Sequence, residues 1–311
     1  MTHSASLLAV TAASLDFQNP VILAAGTAAY GRELASVMNL EALGGIVTKA
    51  VSPEPRKGAP APRVAEFDGG MMNAVGLANP GLEAVIRDDL PWLAQNVRKA
   101  RVIVNVVGST VDDFETVTRS LADIAVVDAF ELNVSCPNTR AGGAEFGADR
   151  NTLTSLVSKC RAATKKPLFV KLSPMLVDIA DTAGAAVDAG ADGLTLVNTI
   201  PGLAIDVESK RPALGFGSGG ISGVGLLPIG VLAVWKVSRA VKVPLIGVGG
   251  ITKGTDVVQY LLAGASLVGL GTAALRDPKA PERIIRELTS WCTSHNVSTV
   301  TDLTGKLEWP S

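Results

Sequence analysis

An α/β fold, a single parallel (β/α)8 barrel of the TIM type, is what this sequence predicts, on three observations. Eight short apolar runs, each of buried-strand length, alternate with stretches of helical periodicity. The chain has 311 residues, enough for a barrel that needs roughly 250. Every one of the apolar runs ends in, or is followed by, glycine or a polar residue, as expected where strands open onto one functional rim. An open doubly wound sheet is the runner-up, disfavoured by the chain length and the even spacing of the units.

The chain begins with apolar residues over Ser6–Leu15 that lack the basic flank of a signal peptide and are too short to span a bilayer. Leu8, Val10, Leu15 and Phe17 alternate, which predicts a small hairpin within residues 1–18 ahead of Asn19-Pro20. The strand candidates follow as Val21–Ala25, Gly45–Lys49, Val102–Val107, Ala129–Val134, Leu168–Leu172, Gly193–Asn198, Leu245–Val248 and Leu267–Gly271. Helical periodicity covers Glu33–Leu43, Leu82–Lys99, Val111–Ala122, Asn151–Thr164, Leu176–Ala189, Leu226–Val241, Thr255–Ala263 and Pro281–His295, one stretch after each strand. Parallel neighbours need such crossover helices, and eight strands close into a cylinder filled by side chains. A single domain over residues 1–311 results. Loops 50–81 and 199–225, after strands two and six, are long and rich in Pro and Gly, so they are read as lids or substrate walls.

Composition narrows the chemistry. A formal net charge of -1 gives no footprint for nucleic acid. Cys136, Cys160 and Cys292 are too widely spaced for a metal or cluster motif, and an odd number makes a poor disulfide framework, which points to a reducing cytosol. The only histidines, His3 and His295, lie near the termini, so catalysis falls to Cys, Lys, Asn, Ser or Thr. No apolar run reaches membrane-spanning length without Gly, Pro or a charge.

The stretch Asn133-Val134-Ser135-Cys136-Pro137-Asn138 is where an apolar run stops in a cluster of reactive and hydrogen-bonding groups. Pro137 holds Cys136 in extended geometry, so the thiol sits in a shaped loop and not in a helix. A thiol packed as a small hydrophobe is the plain alternative, and the polar neighbours weigh against it. Lys49 and Lys171 each follow apolar residues, and an ammonium among such walls needs an anionic or strongly polar partner. A structural ion pair, a Schiff-base lysine and an anionic ligand all fit at this point. The glycines of Gly247-Val-Gly249-Gly250 and Gly269-Leu-Gly271-Thr272 close the last two strands, where barrels commonly bind phosphate through backbone amides. Gly215-Phe-Gly217-Ser-Gly-Gly220 matches a dinucleotide fingerprint but follows Arg211-Pro212 and no strand, so it fails its context.

Taken in order, Asn73-Ala74-Val75-Gly76-Leu77, residues 133–138, Val170-Lys171-Leu172, Val197-Asn198-Thr199, Gly219-Gly-Ile-Ser-Gly223, residues 247–251 and Gly271-Thr272 resemble the dihydroorotate dehydrogenases across almost the whole chain. Cys136 is similar to the base of the cytosolic class; the membrane-bound class has serine there and an extra N-terminal helical segment. Glu54-Pro-Arg56, Pro62-Arg-Val-Ala-Glu66, Phe146-Gly147 and Gly202-Leu-Ala-Ile-Asp206 look like the NAD-linked branch (class 1B). The resemblance implies an FMN-dependent oxidation of dihydroorotate to orotate in pyrimidine synthesis. Cys136 would remove the C5 proton and FMN would take the C6 hydride. It implies substrate contacts from Lys49, Asn73, Ala74, Val75, Gly76, Leu77, Asn133, Asn198 and Thr199. It implies FMN contacts from Ala25, Lys49, Asn105, Asn133, Lys171, Val197, Gly223, Gly249, Gly250, Gly271 and Thr272, the first through backbone only, because many relatives carry serine at Ala25. No resident metal is expected. A homodimer, joined in a heterotetramer by an iron-sulfur flavoprotein carrying FAD and a 2Fe-2S cluster, would pass electrons to NAD in the cytoplasm. The alternatives are a fumarate-using homodimer, a lysine-dependent aldolase or isomerase barrel, a flavin-dependent tRNA reductase and a non-catalytic binding module.

Overall fold

In the computed structural model, which describes residues 7–135 and 146–310, eight strands close into a parallel barrel. They are β1 (Val21–Leu23), β2 (Gly45–Val47), β3 (Arg101–Val106), β4 (Ala129–Asn133), β5 (Leu168–Leu172), β6 (Gly193–Leu196), β7 (Leu245–Val248) and β8 (Leu267–Leu270). Each pairs with its sequence neighbour, and β8 pairs with β1 through Leu270 and Leu23. All eight fall where the apolar runs predict them. Several end a residue or two early, because the polar residues after them turn towards the rim. Buried side chains from Leu8 to Leu303 form one contiguous core, with Phe130, Phe169, Ile22 and Ile46 among its largest members.

Local chemistry explains where the helices start. Thr110 and Asp113 make a reciprocal capping box at Val111–Leu121, which buries Phe114, Val117 and Leu121. Asp149 caps Arg150–Ala163 through the Thr152 N–H at 2.7 Å. Asp178 caps Ile179–Asp188, so this helix begins three residues later than the periodicity from Leu176 implies. Leu227–Ala240, Gly254–Ala263 and Ala280–Ser294 complete the outer layer.

Two expectations about the elements need correction. Glu33–Leu43 is not a helix: it runs as turns with a 3-10 turn at Leu40–Ala42. Asn39 adopts extended backbone just before that turn, and Val37 remains exposed while Met38, Leu40 and Leu43 pack inward. Anchoring at separate points has overridden the periodicity. The helical stretch after Gly81 ends at Asn96 and not Lys99, and it widens into a π-turn over Val85–Asp89 just before Pro91, whose missing N–H removes a ladder bond.

The N-terminal hairpin is present as Val10–Ala12 paired with Leu15–Phe17, its turn made by Ala13 and Ser14 at positive φ. The two long loops are not separate lids. They interleave into one four-stranded antiparallel sheet in the order Ile200–Gly202, Gly219–Gly223, Gly70–Asn73, Val64–Phe67. Gly220 faces Asn73 and Gly223 faces Gly70 across it, and Met72, Ala74 and Leu214 form a small core of its own. The dinucleotide-like run 215–220 leads into this sheet at Gly219 and not from a strand into a helix.

Candidate active site

A cavity of about 320 Å³ opens at the C-terminal ends of the barrel strands, with the four-stranded sheet as one wall through Val64, Met71, Asn73, Ser222 and Gly223. Alternation along each strand decides what faces it. On β5, Lys171 stands opposite Asn133 of β4 and Thr195 of β6, so one cation and two polar groups share a level of the barrel interior. Lys171 is 7% exposed, and Lys49, from the segment after β2, lines the same cavity. Among the described residues, neither lysine lies within ion-pair distance of a carboxylate. A structural salt bridge, one of the three readings of these lysines, is thereby set aside for the described residues, and the cations are left to whatever occupies the cavity.

The amides are arranged from several strands. Asn198, just beyond β6, donates from Nδ2 to the Ser135 carbonyl oxygen at 3.0 Å and to Ser135 Oγ at 2.9 Å, and its Oδ1 accepts from the Thr199 N–H at 2.8 Å. Ser135 directly precedes Cys136, which lies outside the described residues, as do Pro137 and Asn138. The described residues resume at Phe146, and the Gly147 N–H donates to the Val134 carbonyl at 3.1 Å, so Gly147 sits at the end of β4. Asn105 on β3 donates from Nδ2 to Glu131 Oε1 at 2.7 Å.

The glycines allow close approach. Gly250 has φ +74, and a Cβ there would lie 2.4 Å from the Leu227 nitrogen, at the start of helix Leu227–Ala240. Gly223 has φ +115, and its Cβ would lie 2.6 Å from the Gly70 Cα of the neighbouring strand. Thr272 Oγ1 donates to Ser222 Oγ at 2.7 Å, tying the end of β8 to the sheet. A flat polar ring system with a phosphate tail suits this set: backbone nitrogens at the β7 and β8 ends, two lysines with no carboxylate partner among the described residues, and side-chain amides around an apolar floor.

The family model for dihydroorotate dehydrogenase matches residues 7–291. The chain belongs to the dihydroorotate dehydrogenase family. It is 47% identical over 301 residues to the catalytic subunit of dihydroorotate dehydrogenase B (NAD(+)) from Pelobacter propionicus, covering 97% of this chain and 98% of that one. It is 44% identical to the subunit of the same name from Geobacter sp. strain M21, with the same coverage. The solved dihydroorotate dehydrogenase of Eimeria tenella, in complex with ferulenol, superposes with a TM-score of 0.81 at 25% identity, over 98% of this chain and 90% of that one.

Of the described residues that the sequence singled out, this dihydroorotate dehydrogenase cavity gathers Ala25, Lys49, Asn73, Val75, Gly76, Leu77, Asn105, Asn133, Lys171, Val197, Asn198, Thr199, Gly223, Gly249, Gly250, Gly271 and Thr272. Ala74 is the exception. It is fully buried in the small core with Met72 and Leu214, and its N–H donates to the Arg63 carbonyl at 2.8 Å, so neither its side chain nor its amide nitrogen serves the cavity. Thr27, Ser222 and Arg276 also line it and were not foreseen. Ser222 could have been, since it interrupts a glycine run. Arg276 could not, because its place depends on its bond to the Gly70 carbonyl, 206 residues away. Cys160 and Cys292 are fully buried, away from the cavity; burial pushes the Cys160 thiol up to about 12. Among the described residues, no group of three or more His, Cys, Asp or Glu side chains could hold a metal ion, and no helix is long and apolar enough to cross a membrane.

Proposed function

We propose that this chain is the catalytic subunit of an NAD-linked dihydroorotate dehydrogenase, oxidising dihydroorotate to orotate with FMN seated in the barrel-mouth cavity. The observation that carries the reading is that Lys49 and Lys171 share one cavity with no carboxylate partner among the described residues, as an anionic pyrimidine acid beside a polar cofactor requires.

Gly223, Gly249, Gly250, Gly271 and Thr272 would hold the FMN phosphate, and Ala25, Asn105, Asn133, Lys171 and Val197 its ring. When bound, FMN supplies a two-electron acceptor for the hydride at C6. Lys49 would pair with the substrate carboxylate, while the amides of Asn73, Asn133 and Asn198, with Thr199 and the loop Val75–Leu77, orient its ring. Cys136 is the base that removes the C5 proton. A free thiol of pKa near ~8.5 is only a few per cent ionised at neutral pH, so donors and cations near the loop matter to its rate. Asn198 contributes indirectly, by fixing Ser135.

Electrons leave through a second subunit, an iron-sulfur flavoprotein with FAD and a 2Fe-2S cluster, in a heterotetramer built on a homodimer of this chain, within the cytoplasm. The relatives named as catalytic subunits of the NAD(+) type support this branch over a fumarate-using homodimer. The test is anaerobic. Purified protein should be yellow, release FMN on denaturation and be bleached by dihydroorotate, whereas NADH alone should not reduce the isolated chain quickly. Colourless protein that takes up no added FMN would overturn the reading.

A further inference from the structure

Glu131 is a buried acid that no step above uses. It lies inside the barrel on β4, 1% exposed, with Asn105 and Thr195 equally buried beside it. Its Oε1 accepts from Asn105 Nδ2 at 2.7 Å and its Oε2 from Thr195 Oγ1 at 2.8 Å, so three strands that are not all neighbours, β3, β4 and β6, meet at one carboxyl group. No Lys, Arg or His among the described residues lies within ion-pair distance of it. Burying a carboxyl group in a barrel interior costs desolvation that an aliphatic side chain filling the same space would not incur. Packing therefore does not explain it.

The consequence lies at Asn105. The amide group that Asn105 turns towards Glu131 is its NH2, the donor of that 2.7 Å bond. With Nδ2 held there, the carbonyl Oδ1 is the acceptor Asn105 can offer the cavity, which it lines. The Asn105 backbone is fixed as well, its N–H donating to Thr48 Oγ1 at 3.2 Å, while Thr48 Oγ1 in turn donates to the Lys49 carbonyl at 2.9 Å.

We propose that Glu131 is a positioning residue: by holding Asn105 Nδ2 it fixes the amide so that Asn105 presents its Oδ1 acceptor to an N–H of the flavin bound in the cavity. The proposal rests on the FMN reading above and adds a residue to it. Without Glu131 the amide turns freely, and the flavin N–H meets a donor for part of the time.

The test is a double-mutant cycle on FMN affinity, read by quenching of flavin fluorescence, with thermal unfolding followed in parallel. Glu131→Leu should weaken FMN binding about 10-fold or more in the native background and by less than about 2-fold in an Asn105→Ala background. Glu131→Gln, which can turn its carbonyl to Asn105 and its amide to Thr195, should bind within about 3-fold of the native chain. Equal losses from Glu131→Leu in both backgrounds would show a merely structural role and overturn the proposal. So would a 10-fold loss in Glu131→Gln, which keeps the test open should the leucine variant not fold. Failure of the native chain itself to bind FMN would refute the cofactor reading, a result distinct from either.

Discussion

Asn198 grips Ser135 twice, through the carbonyl at 3.0 Å and the hydroxyl at 2.9 Å, although 63 residues separate them. One side chain beyond β6 thereby fixes the last described residue before Cys136. Ser135 is held from across the barrel mouth and not from its own strand alone.

That relationship gives the first prediction. Asn198→Ala should slow bleaching of the bound flavin by dihydroorotate by about 10²-fold, since misplacing a reacting group by about 1 Å costs that much. Flavin content should stay unchanged. The readout is anaerobic stopped-flow absorbance, and a rate within about 2-fold of the native chain would remove Asn198 from the positioning of this loop.

Cys136→Ser should keep its FMN and bleach about 10²-fold or more slowly, the usual weight of a positioned base. The same stopped-flow experiment checks it. Unchanged bleaching would exclude Cys136 from the reaction.

Lys171 is 7% exposed and has no carboxylate partner among the described residues. Lys171→Met should therefore leave thermal stability within about 1 kcal/mol of native, because no ion pair is broken, while weakening FMN at least about 10-fold. Equilibrium dialysis with free FMN measures the second quantity. A variant that loses stability but not affinity would make the lysine structural.

Gly250→Ala puts a Cβ 2.4 Å from the Leu227 nitrogen at a φ of +74. A cost of about 1–3 kcal/mol in stability should accompany weaker FMN binding, because the strain falls on the loop assigned to the phosphate. Urea titrations with and without FMN separate the two effects.

Alkaline stability follows from Cys160. Burial raises its thiol from 9.0 to about 12 in the folded chain, so between those values the folded state keeps a proton that the unfolded state has released. Stability is fully present below about pH 9 and falls as pH rises, at up to about 1.4 kcal/mol per unit. Burial also raises the Tyr30 and Tyr260 phenols, so they add in the same direction above their ordinary 10.0. Urea midpoints for Cys160→Ala should lie below native near pH 8, by the cost of the lost sulfur, and converge on native towards about pH 10.5. Parallel curves would refute the shift.

Apolar runs that stop in polar residues or glycine were enough to put Lys171, Asn133 and the glycines after Val248 and Leu270 at the strand ends on the barrel's open rim, because run length and polarity are local properties of the chain. Helix caps such as Thr110 with Asp113 are local too. Glu33–Leu43 was misread because its apolar spacing is helical while its anchors are tertiary. What the tertiary structure alone decided is how distant segments meet: loops 50–81 and 199–225 as one sheet, Asn105 with Glu131 and Thr195, Asn198 with Ser135. Register between strands and the partner of a buried polar group depend on closure of the whole cylinder, and side-chain period says which way a residue faces but not what it will find there.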